Sequence, residues 1–347
     1  MARTNLVRRI NERSVIDCMR DGKEHTKQEL AGMTGLSFPT VGKLVEDLAA
    51  EGMLLRLGTA QESPGGRKAE VYRLNPDFCH ILLLYLQGNQ VFYRICNALG
   101  EVKSEGCRQG GGRQSHLLSF TGMDRILLEC AKEAAATDGK IGAVSVGIPG
   151  SVHNGRICCI DGYPGLAERD LEKELADTLK GPAAVNNNMS LIAAGMAEKL
   201  HQGREGTLVC LHLADTGPGM GAVVNGRPLQ GFSGFQGEVG FMPLFGDRTI
   251  QEIAMDGFVK ERPGECLGKA AACICTVLNP ERMICYLEQG EPELRQEMVR
   301  VCERFLPAWA KPQFVFDRDY VEDYFHGLAV TGMELIYGRS GGKETWE

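Results

Sequence analysis

The pattern of the sequence changes at Pro76, and this change constrains the fold more than any other feature. After Pro76, apolar runs the length of strands alternate with helical segments and glycine-rich turns, which is typical of an α/β domain. Before Pro76, short amphipathic helical segments precede one pair of strand-like runs. A chain of 347 residues also exceeds what one ordinary core holds. We therefore predict two domains, residues 1–76 and residues 77–347.

Three helices are predicted in the N-terminal domain. Residues 11–20 carry apolar side chains on one side, and Thr26 with Glu29 has the spacing of a capping box that begins a second helix. Ser37 can cap a third helix, with Pro39 in its first turn. The third helix is expected to bury a stripe spaced at i, i+3, i+4 and i+7, which consists of Val41, Leu44, Val45 and Leu48.

Two strands, residues 53–57 and 70–74, are predicted to follow the third helix and to form a hairpin with a basic tip. Helices followed by such a hairpin are typical of a winged helix-turn-helix, which places one helix in the major groove of DNA. Small helical modules also serve protein contacts, and it is the basic tip that favours DNA. The residues expected to contact double-stranded DNA are Ser37, Phe38, Thr40, Lys43, Arg67 and Lys68.

The distribution of charge along the chain also favours DNA contact by the N-terminal domain. Residues 1–75 hold twelve Lys and Arg against ten Asp and Glu, whereas the remainder of the chain has a net charge of −9.

No run approaches the roughly 18 apolar residues of a membrane span, and the first residues lack the apolar core of a signal peptide. We therefore expect a cytoplasmic protein with no membrane partner.

The 13 cysteines lie scattered without a Cys-x-x-Cys pair, so we expect most to be buried thiols.

Six apolar runs after Pro76 are predicted to be strands. They are residues 81–86, 91–96, 141–147, 183–185, 207–213 and 221–224. A helix is predicted to follow Asn186-Asn187-Asn188 and to continue through Glu198. The glycine-rich residues 215–220 are predicted to turn between the last two strands, and Asn225-Gly226 is a strong hairpin turn.

These motifs resemble those of the ROK family, which comprises repressors, open reading frames and kinases. In the N-terminal domain the matching residues are Glu29-Leu30-Ala31, Thr34-Gly35-Leu36-Ser37, Pro39-Thr40-Val41, Gly52-Met53 and Gly65-Gly66-Arg67. In the larger domain they are Pro149-Gly150, Asn187-Asn188, Thr216-Gly217 with Gly219 and Gly221, and Gly237-Glu238-Val239-Gly240. The resemblance implies a two-lobed actin-like (sugar-kinase-like, ribonuclease H-like) fold that holds sugar and ATP between its lobes.

The same resemblance shows where the chain departs from a kinase. ROK kinases carry an Asp-x-Gly-Gly-Thr turn at the ATP phosphates, and the aligned residues here are Tyr85-Leu86-Gln87-Gly88-Asn89. The catalytic Asp of the family aligns with Asn188, and an amide cannot accept a proton at neutral pH. A glycine run that closes over adenine is replaced by residues 285–288. We therefore predict no catalytic residue and no use of ATP.

The family's structural zinc site is also altered. ROK proteins usually carry a Gly-His followed by a compact cysteine cluster, but Phe241 stands in place of the histidine. Residues 241–255 contain neither Cys nor His, whereas tetrahedral zinc needs three or four such ligands. We therefore predict no metal and no other cofactor.

A ligand pocket is predicted from Gly150, Asn187, Asn188 and Glu238. Amide and carboxylate groups hydrogen-bond sugar hydroxyls, and a glycine permits close approach of a ligand to the backbone. The alternative is that these residues only cap strands and helices in a vestigial cleft.

The sequence therefore predicts a DNA-binding transcriptional regulator, a repressor, that senses a sugar or a sugar derivative. Two copies are expected to pair as a homodimer and to present two helices to a near-palindromic operator. Two rival hypotheses stay open. One is a residual ATP-dependent sugar kinase, and the other is a protein-interaction scaffold that binds neither DNA nor sugar.

Overall fold

A computed structural model gives the structure of this chain. It describes residues 2–59, 69–110, 120–138, 140–160, 162–200, 206–214, 217–255, 262–287, 292–317 and 319–337. Among these residues, no helix combines the length and the apolar character needed to cross a bilayer. All 13 cysteines are free thiols, and most of them are buried, as expected from their apolar surroundings.

Three helices form the beginning of the chain. They are α1, Ala2–Met19; α2, Lys27–Thr34; and α3, Phe38–Ala50. The predicted capping box is present at α2, because the Thr26 side chain accepts from the Glu29 amide while the Glu29 carboxylate accepts from the Thr26 amide. Gly35 ends α2 in the left-handed conformation with a φ of 68°, and Ser37 caps α3 as predicted.

A small antiparallel sheet completes this part of the chain. Its strands, in the spatial order β1-β3-β2, are β1, His25–Thr26; β2, Leu54–Thr59; and β3, Glu70–Leu74. The predicted stripe of α3, including Val41 and Val45, is fully buried. It shares one core with residues of α1, α2 and the sheet, namely Val15, Ile16, Met19, Leu30, Leu54, Tyr72 and Leu74.

The rest of the chain contains two five-stranded sheets. The first has the order β10-β7-β4-β5-β6. Its strands are β4, His80–Gln87; β5, Gln90–Cys96; β6, Val102–Gln109; β7, Ile141–Ile148; and β10, Ala183–Asn187. β5 runs antiparallel to both β4 and β6, whereas β7 runs parallel to both β4 and β10. A separate short hairpin consists of β8, Ser151–His153, and β9, Arg156–Cys159.

The second sheet repeats this arrangement, with the order β13-β12-β11-β14-β15. Its strands are β11, Thr207–Ala214; β12, Gly217–Val224; β13, Arg227–Pro228; β14, Arg282–Leu287; and β15, Gln313–Asp317. Again three antiparallel strands are followed by two parallel ones. The two sheets therefore have the same topology.

Helices cover both sheets. They are α4, Met123–Thr137; α5, Leu171–Leu179; α6, Asn188–Lys199; α7, Ile250–Met255; α8, Pro263–Leu278; α9, Pro292–Arg304; and α10, Tyr320–Tyr337. α4 and α5 share a core with the first sheet, and α8 and α9 share one with the second. α6 and α10 lie in a third core that contains residues of both sheets, such as Leu83 of β4 and Cys210 of β11.

Three element boundaries differ from the sequence prediction. α1 begins at Ala2 rather than at residue 11, and its first turns are supported by ion pairs from Arg8 to Glu12 and Asp47. β6 was not predicted, because all eight of its residues are exposed and it has no apolar alternation. β12 begins at Gly217, inside the segment predicted as a turn; a side chain at Gly219 of that segment would stand 3.3 Å from the Met189 side chain of α6, and one at Gly221 further along would overlap the Met189 carbonyl.

Candidate functional site

The first two turns of α3, with its cap Ser37, present four of the six residues that were predicted to contact DNA. The Ser37 hydroxyl accepts a hydrogen bond from the Thr40 amide at 3.4 Å, and the two hydroxyl oxygens lie 2.8 Å apart. The Phe38 side chain is 56% exposed, and Lys43 is exposed on the following turn. Because the opposite side of α3 is fixed in the core, these groups stand on a rigid, capped helix start.

Lys43 differs from Lys27 and Arg56 in forming no ion pair among the described residues. Lys27 and Arg56 both form ion pairs with Glu46, and Arg56 also lies 3.6 Å from Glu70. The hydrogen bond from Lys27 lowers the pKa of the Glu46 carboxyl. Within the described part of the chain, Lys43 makes neither an ion pair nor a side-chain hydrogen bond. Its charge is therefore available to an external anion.

The predicted basic tip lies between β2 and β3. These strands pair antiparallel from Leu54 with Leu74 to Thr59 with Glu70, so the hairpin predicted from the sequence is confirmed. Arg67 and Lys68 lie outside the described residues, and their contact with DNA stays a prediction.

Asn187 and Asn188 meet Gly150 at the end of the first sheet. β10 is parallel to β7, so the carboxyl ends of both strands reach the same edge, where Asn187 pairs with Ile148. The Asn187 side chain donates to the Gly150 carbonyl at 3.0 Å and accepts from the first amides of α6. The Asn188 side-chain oxygen accepts from the Met189 amide at 2.8 Å. Both amides therefore begin α6 beside Gly150.

Glu238 reaches the same place from the other sheet. It precedes a short 3-10 helix, Val239–Phe241, and its Oε1 accepts a hydrogen bond of 2.9 Å from the Ser151 hydroxyl. Ser151 follows Gly150 directly and is buried. We name Gly150, Ser151, Asn187, Asn188 and Glu238 the intersheet site. The structure thus brings together all four residues that were predicted to bind a ligand.

Gly150 also has a packing reason to be glycine. A side chain at this position would overlap the Cys159 carbonyl and press on Ile160. The absence of a side chain therefore lets the hairpin of β8 and β9 lie close to the end of β7, whether or not a ligand approaches the backbone there.

Exposed aromatic rings stand beside the intersheet site. Phe241, the residue in place of the family histidine, is 47% exposed and packs edge-to-face on Phe235 with ring centroids 5.1 Å apart. Phe232 is 97% exposed and lies 6.2 Å from the His153 ring. Apolar faces of this size at a polar site can stack against a ligand.

Aromatic side chains surround Tyr85, the residue that the sequence analysis aligned with the kinase aspartate. Tyr85 is buried, stacks on Phe92 at 4.8 Å and lies 4.7 Å from the Tyr324 ring. Tyr324 in turn occupies the space over Gly147, where an added side chain would overlap its ring and hydroxyl. Burial raises the pKa of the Tyr85 hydroxyl, so Tyr85 supplies neither a negative charge nor a base.

Gln87, which follows Tyr85 on β4, is engaged by α10. Its side-chain amide donates to the Tyr320 hydroxyl at 2.5 Å. The Tyr320 ring lies 4.8 Å from the ring of His212 on β11. Tyr320 thus connects the end of β4 to the second sheet.

Sequence reasoning missed Ser151 and Tyr320. The partners of these residues are 87 and 233 positions away, at Glu238 and Gln87. No local spacing signals contacts of that range.

Among the described residues, no group of three or more His, Cys, Asp or Glu side chains is placed to hold a metal ion.

Comparison with known families finds a match within the large α/β part. A model described as ROK family matches residues 121–278. This part of the chain is therefore similar to the ROK family. The matched region includes α4, β7, β10, α6 and the intersheet site.

Sequence relatives point to regulators. Over 246 residues the chain is 24% identical to the xylose repressor of Caldicellulosiruptor bescii, and over 245 residues it is 21% identical to the xylose repressor of Bacillus subtilis. These alignments cover 69% and 70% of this chain. They span only 60% and 63% of the length of those two repressors.

Solved structures agree on the fold. A ROK family transcriptional regulator described as a homolog of the E. coli MLC protein matches 96% of this chain and 98% of its own, with 18% identity and a TM-score of 0.75. A ROK hexokinase from Thermus thermophilus matches 76% of this chain and 100% of its own, with 18% identity and a TM-score of 0.59. The larger part of the chain therefore has the mixed α/β fold that ROK regulators and sugar kinases share.

Proposed function

We propose that this protein is a transcriptional repressor that binds operator DNA and senses a carbohydrate. In this proposal residues 1–76 form a winged helix-turn-helix, and residues 77–347 form a sensing domain without catalytic activity. The observation that carries the proposal is the capped, exposed start of α3, with Lys43 in no ion pair among the described residues, in a chain whose residues 121–278 match the ROK family. The names of the repressor relatives support the same assignment.

α3 is the proposed recognition helix. In helix-turn-helix proteins, the N-terminal residues of the second helix of the motif contact base edges in the major groove. Ser37, Phe38 and Thr40 stand at this position, and Lys43 lies one turn further on, where it can reach a phosphate. Arg67 and Lys68 of the hairpin tip are proposed to contact the neighbouring backbone or minor groove. A homodimer would present two such helices to a near-palindromic site.

A carbohydrate is the proposed effector of the intersheet site. Asn187, Asn188 and Glu238 supply donors and acceptors for hydroxyl groups, and the Phe235–Phe241 pair supplies an apolar surface for the face of a sugar ring. The relatives named xylose repressors make D-xylose the first compound to test. A ligand that binds only the folded protein raises its melting temperature by mass action.

The proposal that the chain is not a kinase depends on the lack of the carboxylates that phosphoryl transfer needs. Phosphoryl transfer needs a carboxylate that accepts the proton of the sugar hydroxyl, and metal-assisted neutralisation of the phosphates. Asn188 stands where the resemblance places the base, and Tyr85 and Gln87 stand where it places the phosphate turn. The two side chains on β4 are engaged by aromatic residues of α10.

Selection from a random duplex library tests the DNA-binding proposal. The full chain is incubated with the library, and bound duplexes are amplified and sequenced through several rounds. We expect one near-palindromic motif to be enriched. A scaffold would enrich no sequence, and that result would overturn the proposal.

A sugar kinase is the second candidate, because a hexokinase shares the fold. A coupled assay of ATP consumption with hexoses, amino sugars and D-xylose separates the two functions. We expect no sugar-dependent turnover above that of a buffer control. Turnover with any of these sugars would show that the loss of the carboxylates at residues 85 and 188 does not abolish catalysis.

A further inference from the structure

α6 connects the intersheet site to the N-terminal helices. At its beginning, Asn187 caps the helix and donates to the Gly150 carbonyl. At its other end, the Glu198 carboxylate lies 3.6 Å from the guanidinium of Arg20, the residue that follows α1. A helix of 12 residues extends about 18 Å, so one rigid element contacts both regions.

α10 makes a second connection of the same kind. Its first residue, Tyr320, accepts the hydrogen bond from Gln87 beside the second sheet. Near its other end, Glu334 accepts a hydrogen bond of 2.9 Å from Arg13 of α1. Tyr337 donates to the Ala98 carbonyl at 2.9 Å, and its ring packs against the N-terminal core. This helix of 18 residues extends about 27 Å.

The two helices cross without space for relative sliding. A side chain at Gly195 of α6 would overlap the Asp323 carbonyl of α10, and one at Gly327 of α10 would overlap the Leu191 carbonyl of α6. The buried Asp323 carboxylate also holds the Tyr286 hydroxyl of β14 at 2.9 Å. A displacement at the start of either helix therefore moves both.

We propose that α6 and α10 act as one lever that couples occupancy of the intersheet site to the position of α3. The step from lever to α3 passes through α1, because Val15, Ile16 and Met19 share their core with the buried stripe of α3. The contacts that connect the lever to α1 are made by Arg13, Arg20 and the end of α10, and we name them the joint. This inference rests on the proposed function and adds the route by which the sensing domain changes DNA affinity.

The contacts of the joint can be removed without unfolding the chain. Glu198 and Glu334 are about half exposed, and exposed ion pairs contribute little to stability. All three groups removed in the test, Glu198, Glu334 and the Tyr337 hydroxyl, lie in the large domain. The DNA-contacting residues of α3 therefore stay intact in the variant.

Hydrogen–deuterium exchange with the duplex enriched by selection tests the lever. Coupling between two sites is reciprocal, so DNA bound at α3 must alter the intersheet site. We expect the duplex to change exchange at the first amides of α6, residues 188–192, by at least twofold in the unmodified chain. The triple variant Glu198→Ala, Glu334→Ala, Tyr337→Phe should bind the duplex but lose this change.

A control is Glu133→Ala, which breaks an exposed ion pair between Glu133 of α4 and Arg108 of β6. It should keep the response of α6. The inference is overturned if the unmodified chain binds the duplex with no change in α6, or if the triple variant responds as the control does. Failure of the unmodified chain to bind any duplex is a different result, which overturns the proposed function and the lever with it.

Discussion

Lys43 and Lys27 carry the same charge but differ in what surrounds it. Lys27 forms an ion pair with Glu46 of α3, and its ammonium lies 5.2 Å from the centre of the Tyr72 ring. Lys43 is exposed and has no acidic partner among the described residues. A phosphate that approaches Lys43 therefore displaces no ion pair formed by the described residues, whereas one that approaches Lys27 must displace Glu46.

Replacement of Lys43 by alanine is expected to weaken duplex binding and to reduce its dependence on salt. Each phosphate contact that is lost should lower the slope of log affinity against log salt by about 0.9, because fewer counterions are released on binding. The measurement is a set of titrations with the enriched duplex at several salt concentrations. Lys132→Ala on α4, an exposed lysine of the large domain, is the control and should match the unmodified chain. Equal slopes for all three proteins would remove α3 from the contact surface.

His212 makes the stability of the chain depend on pH. The imidazole lies in β11 beside the Tyr320 ring, and burial lowers its pKa to about 4 from 6.5. Below pH 6.5 the unfolded chain therefore binds a proton that the folded chain does not. The contribution of neutral His212 to stability is complete above pH 6.5 and is lost progressively as the pH falls towards 4.

We expect the unmodified chain to lose about 2 kcal/mol more stability between pH 7 and pH 5 than the variant His212→Asn. Asparagine retains a polar side chain but does not titrate. Denaturant unfolding of both proteins at the two pH values gives the difference. A loss of the same size in both proteins would show that His212 is not the group responsible.

For individual residues, the sequence predicts those side chains whose hydrogen-bond partners lie a few positions away in the chain. Thr26 and Ser37 cap helices because their partners lie three positions away, and a spacing of that kind is visible in the sequence. Ser151 and Tyr320 were missed because the fold alone brings them to Glu238 and Gln87. The resemblance to the ROK family, rather than spacing, led to Asn187 and Glu238.

Among the elements, the crossing of α6 and α10 tolerates the least change. Gly195→Ala would place a methyl group against the Asp323 carbonyl, so we expect the free energy of unfolding to fall by about 1–3 kcal/mol. Gly32→Ala in α2 is the control, because its added methyl meets no atom within 4 Å. The control should be about 0.5–1 kcal/mol more stable than the unmodified chain. Denaturant unfolding measures both, and a Gly195→Ala protein as stable as the control would contradict the packing described for this crossing.

Strand prediction succeeded where burial leaves a pattern. β4 and β7 are buried along most of their length, and both appear in the sequence as apolar runs. β6 is an exposed edge strand whose pairing with β5 holds it in place, so its residues carry no periodic signal. The start of β12 was mistaken for a turn because it is rich in glycine; Gly219 there, and Gly221 further along, lie against Met189 of α6.

For the whole molecule, the repeated sheet order was implied by the family resemblance and not by the strand pattern. Strand order depends on contacts between residues far apart in the chain, such as β4 with β7 and β11 with β14. The alternation of apolar runs and helices predicts an α/β domain but leaves the order of the strands open. The contact between α1 and the end of α10 joins positions 321 residues apart and has no signal in the sequence.

Specific recognition of DNA by the N-terminal residues is the central claim for the whole molecule. Its most direct test is a fluorescence anisotropy titration of the full chain against the enriched duplex and against a scrambled duplex of the same base composition, at one physiological salt concentration. We predict that the enriched duplex binds about 1,000-fold more tightly or better, as specific regulators do. Equal affinity for the two duplexes would contradict the claim.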